Sequence, residues 1–445
     1  MKRILNAQTI KYLNKKIKVC GWVDSRRDHG GIVFLDLRDR SGILQILCSP
    51  DSVKEVKEEY VLEVEGEVRK RPINMINPEI ETGKIEIKAS KIKVLARAKT
   101  LPFDIKTLKV SLPTLLDYRP LTFRNEKIRA IFKIEEEIIS SFRKMMRKLG
   151  FSEFQAPTIV PLATEGGADV FHIDYYNYDA YLAQSPQLYK QIMLGALERV
   201  FTITRAYRAE PSITTRHLSE YISLDVEMSF IDSWADLMDT CEIVIKNILS
   251  DVQKKCQKEL KTLGAIVPKT SSKIPRLKMR EAQEIIFQRT GRDNRQEPDL
   301  SPEDEKEICN FAQEKKKSEL VFITHYPTKK RPFYTYPDPE DSDYTLSFDL
   351  LCRGLEIVTG GQRIHEYEKL LKNIKEWGNK PKNFLFYLQA FKYGMPPEGG
   401  FCLGAERIVK QILGLENIRE ASLFPRDMER IDQRLSILQP KKKKK

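Results

Sequence analysis

Residues 201–230, FTITRAYRAEPSITTRHLSEYISLDVEMSF, restrict the fold more than any other part of the sequence. A β-rich run precedes a short polar loop carrying Arg208, Glu210, Arg216 and His217, and a second alternating run follows the loop. Two such runs around a loop predict an antiparallel hairpin. Arginine's planar fork suits phosphate oxygens, and a carboxylate can accept from an exocyclic amine. The pattern indicates a site for a phosphorylated nucleotide; the alternative is a surface hairpin with charged tips.

Composition limits the class of protein. The 445 residues, 41% hydrophobic and 31% charged, predict a soluble globular protein of two or three domains. We see no apolar run long enough to span a bilayer and no signal peptide, so a cytoplasmic location is expected. Seven scattered cysteines without a CxxC pair predict reduced thiols and no zinc ligand set. The net charge of +13, part of it in the terminal lysines 441–445, favours a polyanionic partner.

The periodicity divides the chain into four segments. Residues 1–100 contain about five short alternating strands separated by turn signals, which predicts a small β-barrel. Residues 101–125 hold three prolines and no sustained period, as in a linker or hinge. Residues 126–430 mix amphipathic helices with strands but lack βαβ alternation, which predicts an α+β domain around an antiparallel sheet. Residues 431–445 form a basic tail. No Rossmann or P-loop glycine motif is present.

Three segments resemble the signature motifs of the class II aminoacyl-tRNA synthetases. Residues 201–230 look like motif 2. Residues 399–415, GGFCLGAERIVKQILGL, are similar to motif 3, a glycine-bearing strand followed by a helix with an arginine. Residues 148–160, KLGFSEFQAPTIV, resemble motif 1, whose proline, here Pro157, lies at the family's dimer interface. Three motifs in the family's order are far more specific than any one of them.

Two further segments, ATEGGADVF and LAQSPQLYKQ, look like the aspartyl branch of this family in particular. The resemblance covers about residues 1–430. It implies an N-terminal OB-fold anticodon-binding barrel, a hinge, and a class II catalytic domain built on an antiparallel sheet flanked by helices. The short stretch between motifs 2 and 3 is typical of the compact, archaeal-like architecture. A homodimer formed through motif 1 is also expected.

The implied activity is ATP-dependent attachment of L-aspartate to tRNA(Asp) through an aspartyl-adenylate. Such a reaction needs cations and metal-binding carboxylates rather than a protein nucleophile. The resemblance assigns catalysis to Arg208 and Arg407, and it places Arg208 between the α-phosphate and the aspartate carboxylate. It implies this ATP-binding set: Arg208, Ala209, Glu210, Arg216, His217, Leu218, Tyr221, Glu356, Gly404, Ala405, Glu406 and Arg407.

The same resemblance implies a Mg²⁺ site at Asp349, Glu356 and Thr359, and hard oxygen ligands beside a triphosphate suit that ion. Asp349 and Glu356 are seven residues apart, which would put them on opposite faces of one regular strand. A turn or bulge at Arg353 and Gly354 would remove this conflict. Thr359 stands where serine is usual, and Cys402 stands where relatives often have glycine.

Substrate and tRNA selection are assigned by resemblance as well. The aspartate-binding residues are Glu165, Gln187, Lys190, Arg208, Thr359 and Arg363. A pocket for aspartate must offset a buried second carboxylate with fixed cations, and Lys190 and Arg363 look like that pair. The anticodon-binding residues are Arg26, Phe34 and Gln45; for Phe34, the alternative is that it faces inward and fills the barrel.

Four alternative functions remain open from the sequence. A non-discriminating enzyme would also charge tRNA(Asn) with aspartate, and Asp24 at a variable barrel position matches neither type. An asparaginyl enzyme is disfavoured by Lys190, which such relatives typically lack. A non-catalytic RNA-binding paralogue predicts the loss of Arg208, Glu356 or Arg407, and all three are present. An asparagine-synthetase-like relative would lack the barrel.

Overall fold

The computed structural model describes residues 1–162, 170–211 and 213–437. The chain divides into two compact units, Met1–Asp104 and Ile105–Lys445. Glu165, assigned above to aspartate binding, and the terminal lysines lie outside the described residues. Within the part of the chain that is described, no helix is both long and apolar enough to cross a membrane.

The first unit is a closed five-stranded barrel. Its strands pair in the order β1-β2-β3-β5-β4, with β3 and β5 parallel and the other pairs antiparallel. Alternate residues such as Val33, Leu35 and Leu37 point inward to form the barrel core, as the sequence pattern predicts. The OB-fold prediction is confirmed. The strands are β1 Lys16–His29, β2 Ile32–Asp39, β3 Gly42–Cys48, β4 Val61–Lys70 and β5 Ile85–Ala96, with short 3₁₀ helices at Asn6–Tyr12, Asp51–Val53 and Ile73–Met75.

The second unit is built on an eight-stranded sheet of order β12-β13-β14-β15-β16-β11-β10-β6, in which only the β12–β13 and β10–β6 pairs are parallel. A small sheet, β7-β9-β8, lies apart from it. Numbered in chain order, the strands are β6 Ser152–Glu153, β7 Ile159–Val160, β8 His172–Tyr175, β9 Tyr178–Leu182, β10 Arg199–Tyr207, β11 Glu220–Ser229, β12 Arg276–Lys278, β13 Leu320–Thr324, β14 Ser347–Cys352, β15 Leu355–Arg363 and β16 Glu398–Gly404.

The helices of this unit are α1 Leu112–Asp117, α2 Arg119–Thr122, α3 Glu126–Lys148, α4 Gln187–Leu197, α5 Ala235–Lys255, α6 Gln257–Leu263, α7 Met279–Thr290, α8 Pro302–Lys316, α9 Tyr367–Glu376, α10 Leu385–Lys392 and α11 Ala405–Leu413. Short 3₁₀ helices lie at Thr328–Lys330, Pro381–Phe384, Ile418–Ala421 and Leu435–Ile437. Helices α3, α5 and α11 bury their apolar stripes against one face of the large sheet, through residues such as Phe142, Val244 and Val409. The α+β prediction is therefore confirmed.

The predicted linker is more ordered than its composition indicates. Two of its three prolines, Pro113 and Pro120, occupy the first turns of α1 and α2, where the missing N–H of proline costs nothing. The buried side chain of Arg119 donates to the carbonyl oxygens of Ser422 (2.6 Å) and Leu423 (2.8 Å). Prolines that suggest a linker in the sequence instead start two short helices that are tied to the C-terminal segment.

Candidate functional site

The face of the large sheet opposite α3 and α5 is polar. Three rows of side chains cross it, because residues in register on neighbouring strands share a face. The first row contains Thr202, Asp225, Cys402, Thr359 and Asp349; the second contains Val200, Glu227, Gly400, Gly361 and Ser347; the third contains Ser229, Glu398 and Arg363. The sheet thus brings residues from five strands into one floor.

A turn and a bulge together place the two predicted metal ligands on this face. Arg353 and Gly354 both have positive φ, at 48° and 80°, and close the β14–β15 hairpin. The register shifts between Leu350 and Leu351, so that β15 carries one extra residue. Ile357 and Val358 both enter the apolar core as a result. Asp349, Glu356 and Thr359 therefore reach the same side despite their odd spacing.

An open cavity of about 540 Å³ lies over the floor at the ends of β11 and β16. Most of the residues predicted to bind ATP line it; Ala209, Glu210 and Ala405 do not. The lining residues are Arg208, Arg216, His217, Leu218, Tyr221, Glu356, Ile357, Thr359, Cys402, Gly404, Glu406, Arg407 and Ile418.

The arginines at the cavity mouth have protein partners in the absence of a ligand. The guanidinium of Arg208 lies 5.7 Å from the ring centre of Tyr221 and 3.6 Å from the carboxylate of Glu210. Arg216 donates to Glu305 of α8. Burial and the nearby charge of Arg407 lower the pKa of Arg216. A guanidinium that pairs with a carboxylate, as in Arg208 and Arg216, can bond phosphate oxygens in its place.

Motif 3 fixes the opposite wall. Arg407 donates to the backbone oxygen of Glu356 (3.0 Å) and to its carboxylate (3.1 Å). The carboxylate of Glu406 accepts from the backbone N of Ile222 at 3.0 Å and is buried. Burial raises the pKa of Glu406 to about 8. Glu406 therefore anchors α11 to β11, whereas Arg407 is the residue of this helix that offers charge to the cavity.

Arg331 was not foreseen from the sequence, yet it organises the predicted metal ligands. It donates to Asp349 (2.7 Å) and to the hydroxyl of Thr359 (3.0 Å), and its guanidinium lies 4.0 Å from the ring centre of Tyr326. Burial opposes the charge of Arg331, but Asp349 outweighs it and raises its pKa. Arg331 thereby fixes the side-chain orientation of both predicted ligands.

The ligand set fits Mg²⁺ in its chemistry. One carboxylate oxygen of Asp349, Oδ1, is buried and has no hydrogen-bond partner among the described residues. Burial raises the pKa of Glu356, and the nearby charge of Asp349 also raises it, so the two carboxyl groups lie close together. No group of three or more acidic, His or Cys side chains within the described ranges forms a metal cage by itself. Two carboxylates and a hydroxyl suit a cation that takes its remaining ligands from phosphate and water.

Deeper on the same floor, two cations and two carboxylates form a buried cluster. The ammonium of Lys190 from α4 lies 3.0 Å from Asp225 and 2.9 Å from Glu227. Arg363 donates to Glu227 (2.8 Å) and to the backbone oxygen of Gly400 (3.1 Å). Burial opposes the charge of Lys190, but Glu227 and Asp225 outweigh it and raise its pKa. The predicted aspartate-binding cations are thus brought together, each already paired.

Polar amides and one more acid complete the cluster. The side chain of Gln187 donates to Gln191 (3.0 Å) and accepts from Arg363 (3.4 Å). Gln191 donates in turn to Glu398 (2.7 Å). A Cβ on Gly400 would come within 2.2 Å of Glu227, so glycine is required where that side chain crosses the floor. Asp225, Glu227 and Glu398 are not predicted from the sequence. The alternation of LDVE in β11 is the signal that could have revealed the first two.

Cys402 and Thr359, the two departures from the family pattern, are direct neighbours in the first row. The thiol of Cys402 lies 3.0 Å from the hydroxyl of Ser223, and burial raises the pKa of Cys402 to about 12. Cys402 and Thr359 both line the cavity, and Cys402 also lies near the buried charges of Asp225 and Lys190. Both departures add bulk at the junction of the two halves of the site.

On the barrel, the structure separates the three residues predicted to bind the anticodon. Phe34 lies on the outer face, 5.9 Å from the ring of His29, so it does not fill the core. Gln45 lies on that face as well and donates to Glu86 (2.8 Å). Arg26 is instead in register with inward-facing Leu35.

The guanidinium of Arg26 donates to the backbone oxygens of Val53 (2.7 Å) and Val56 (2.8 Å), so it closes one end of the barrel. Arg27 is the residue in register with Phe34, and it donates to Asp36 and Gln45. The structure thus places Arg27, rather than Arg26, beside Phe34 and Gln45. Consecutive arginines point to opposite faces of a strand, and the sequence alone does not say which faces outward.

Comparison with known proteins agrees with this arrangement. Residues 111–428 match the family "tRNA synthetases class II (D, K and N)", and residues 17–95 match "OB-fold nucleic acid binding domain". The chain is 42% identical to the aspartate–tRNA(Asp/Asn) ligase of Thermus thermophilus, over 96% of this chain and 99% of the relative. It is 41% identical to the aspartate–tRNA(Asp) ligase of Pyrococcus horikoshii, over 96% and 98%. The solved structure of asparaginyl-tRNA synthetase from Pyrococcus horikoshii with asparaginyl-adenylate superimposes with a TM-score of 0.86 at 31% identity, covering 95% of this chain and 97% of that one.

Replacing Lys190 with leucine should destabilise the second unit strongly. The substitution leaves Asp225 unpaired and Glu227 with one cation fewer inside the protein, and removing one partner of a buried ion pair costs about 3–5 kcal/mol. Urea unfolding of Lys190→Leu measures this loss. Lys372→Leu is the control, because that lysine side chain is 75% exposed and its removal should be nearly neutral. Equal stability of the two variants would contradict the buried pairing.

Proposed function

The chain belongs to the class II tRNA synthetases (D, K and N), and from that premise we propose that it attaches L-aspartate to tRNA(Asp) with consumption of ATP. The observation that carries the proposal is the buried pair Lys190 and Arg363, of which Lys190 lies near Cys402 of the cavity lining. A neutral amide side chain would not need two fixed cations, whereas a second carboxylate does. The presence of Arg208, Glu356 and Arg407 on the cavity wall disfavours a non-catalytic paralogue.

The proposed chemistry has two steps. A carboxylate oxygen of aspartate bonds to the α-phosphorus of ATP, the bond to the β-phosphate oxygen breaks, and pyrophosphate leaves. A terminal ribose hydroxyl of the tRNA then attacks the acyl carbon, its proton is lost and AMP leaves. Arg208, at the boundary between the cavity and the buried cluster, would neutralise charge at the α-phosphate. Arg407 would hold the adenine side and the outer phosphates.

We propose that Asp349, Glu356 and Thr359 hold Mg²⁺ during the first step. When bound, the ion would offset phosphate charge and help to orient the triphosphate. The chain's own contribution is the fixed orientation of these oxygens. Arg331 holds Asp349 and Thr359 at 2.7 and 3.0 Å, and Arg407 holds Glu356.

Three further elements of the proposal rest on the family resemblance. Glu165 would pair with the substrate ammonium. The 148–160 segment would form a homodimer interface, and in the single chain Ile159 is 45% exposed there. The enzyme would work in the cytoplasm, which agrees with seven free thiols.

Charging of tRNA(Asn) with aspartate is the second candidate function. The observation that favours it is the relative named for both tRNAs, which at 42% identity is as similar to this chain as the relative named for tRNA(Asp) alone, at 41%. In the barrel, Asp24 accepts from Arg38 at 3.0 Å, so its carboxylate is engaged by the protein. Residues on the outer barrel face would then decide which anticodons are accepted.

The experiment that tests the function offers aspartate and asparagine separately to transcripts of tRNA(Asp) and tRNA(Asn). We expect aspartate on tRNA(Asp). Aspartate on tRNA(Asn) as well would establish the second candidate and would require a later amidation of the charged tRNA. Asparagine on either tRNA, or no charging of any transcript, would contradict the proposal.

Phe34→Ala should weaken tRNA charging while leaving adenylate formation unchanged. Loss of a stacked base contact costs ~1–3 kcal/mol, which predicts a rise of roughly 5–150-fold in KM for tRNA. Arg27→Ala should act in the same direction. Aminoacylation measures this effect, and aspartate-dependent pyrophosphate exchange measures the first step.

Ile73→Ala is the control for this comparison, because Ile73 belongs to the barrel unit and is 90% exposed. It should leave both activities unchanged. An equal fall of charging and exchange in folded Phe34→Ala protein would contradict the assignment of the barrel to tRNA binding.

A further inference from the structure

Glu398 is a buried acid beside the predicted aspartate pocket, and among residues 1–162, 170–211 and 213–437 no cation forms an ion pair with it. It begins β16, in register with Arg363 on one side and Ser229 on the other, and its side chain is fully buried. Oε1 accepts from Gln191 at 2.7 Å, while Oε2 is buried without a hydrogen-bond partner. The cations that it could have used are committed to other carboxylates: Arg363 bonds Glu227, and Lys190 bonds both Glu227 and Asp225.

Four charged side chains surround Glu398. Two are negative, Glu227 and, one row away, Asp225, both on β11; two are positive, Arg363 on β15 and Lys190 on α4. From α10 comes Tyr387, a neutral phenol that donates to Gln191 at 3.1 Å. Helix α5 packs on the other face, where Leu237 approaches Gly399. Two positive and two negative groups already balance. An ionised Glu398 would therefore give the pocket a net negative charge before any substrate enters.

We infer that Glu398 is a specificity-determining residue that carries a proton on Oε2 and must stay uncharged for the pocket to accept the side-chain carboxylate of aspartate. This inference rests on the proposed function. With the proton in place, Lys190 and Arg363 can share their charge between Glu227 and the substrate. Without it, a third buried carboxylate competes for the same two cations, and a second substrate carboxylate is repelled.

The electrostatic environment supports this assignment. Burial, followed by the neighbouring charge of Glu227, raises the pKa of Glu398 to about 8. A group with this pKa is neutral at pH 7 and ionises as the pH rises toward 9. The affinity for aspartate should therefore be complete below about pH 7 and be lost as the pH rises through 8. ATP lies in the outer cavity, so its binding should not follow this titration.

The test measures aspartate-dependent pyrophosphate exchange between pH 6.5 and 9 for the unmodified protein and for Glu398→Gln. Glutamine keeps the shape of the acid and cannot ionise. From pH 7 to pH 9 the KM for aspartate should rise roughly tenfold in the unmodified protein, because one proton is lost per site. In Glu398→Gln the KM for aspartate should change by less than about twofold over the same range, once the titration of the substrate itself is allowed for. The KM for ATP should stay constant in both. Glu376→Gln, on exposed α9, is the control and should follow the unmodified protein.

A second measurement compares the same two proteins by proton uptake. Calorimetric titration with L-aspartate at pH 8.5, in two buffers of different ionisation enthalpy, gives the number of protons taken up on binding. We expect the unmodified protein to take up about three quarters of a proton more than Glu398→Gln, because a group with a pKa of about 8 is only about one quarter protonated at pH 8.5. Identical pH profiles and identical proton uptake in the two proteins would overturn the role of Glu398, although exchange itself persists. Absence of aspartate-dependent exchange at every pH, with ATP still bound, would instead overturn the proposed function and the inference with it.

Discussion

The rest of the site depends on a group of charges that the fold keeps away from water. Lys190 and Arg363 lie inside the second unit, each nearly fully buried, and each is held by Glu227. A buried charge without a partner would be neutralised or would unfold its surroundings, so the carboxylates of β11 are what allow the two cations to exist there. The free-energy cost of removing Lys190 and Arg363 from water is therefore offset during folding, before a substrate binds. A ligand with its own carboxylate then finds cations that need no further reorganisation.

The sheet provides the geometry for this arrangement. Three rows of side chains cross β10, β11, β16, β15 and β14, and each row serves a different part of the site. The first row contains Asp349 and Thr359, and the third contains Arg363 and Glu398. Between them Gly400 leaves room for the side chain of Glu227. The one-residue bulge in β15 aligns Glu356 with the first row. Small backbone irregularities thus decide which side chains meet.

The sequence alone predicts the barrel and the antiparallel sheet, and it singles out residues most of which line one cavity, because alternation and motif order are local properties. It does not show contacts between distant segments. Arg331 and Glu398 belong to no motif. Arg331 pairs with Asp349, and Glu398 lies beside Arg363, whose guanidinium bonds Glu227 instead. Whether Arg26 or Arg27 faces outward depends on the register of β1, and a one-residue bulge between Val23 and Ser25 changes that register. The prolines of the 101–125 segment are ambiguous for a similar reason, since proline both ends and begins helices.

The central claim is that the buried cations select a substrate with a second carboxylate. The most direct measurement is the affinity of the protein for two non-reactive adenylate analogues, aspartyl- and asparaginyl-sulfamoyl adenosine, by competition at neutral pH. Both share the adenosine portion, so any difference arises at the buried cluster. The account predicts that the aspartyl analogue binds at least ~100-fold more tightly, about 2.7 kcal/mol. Equal affinity, or tighter binding of the asparaginyl analogue, would contradict it.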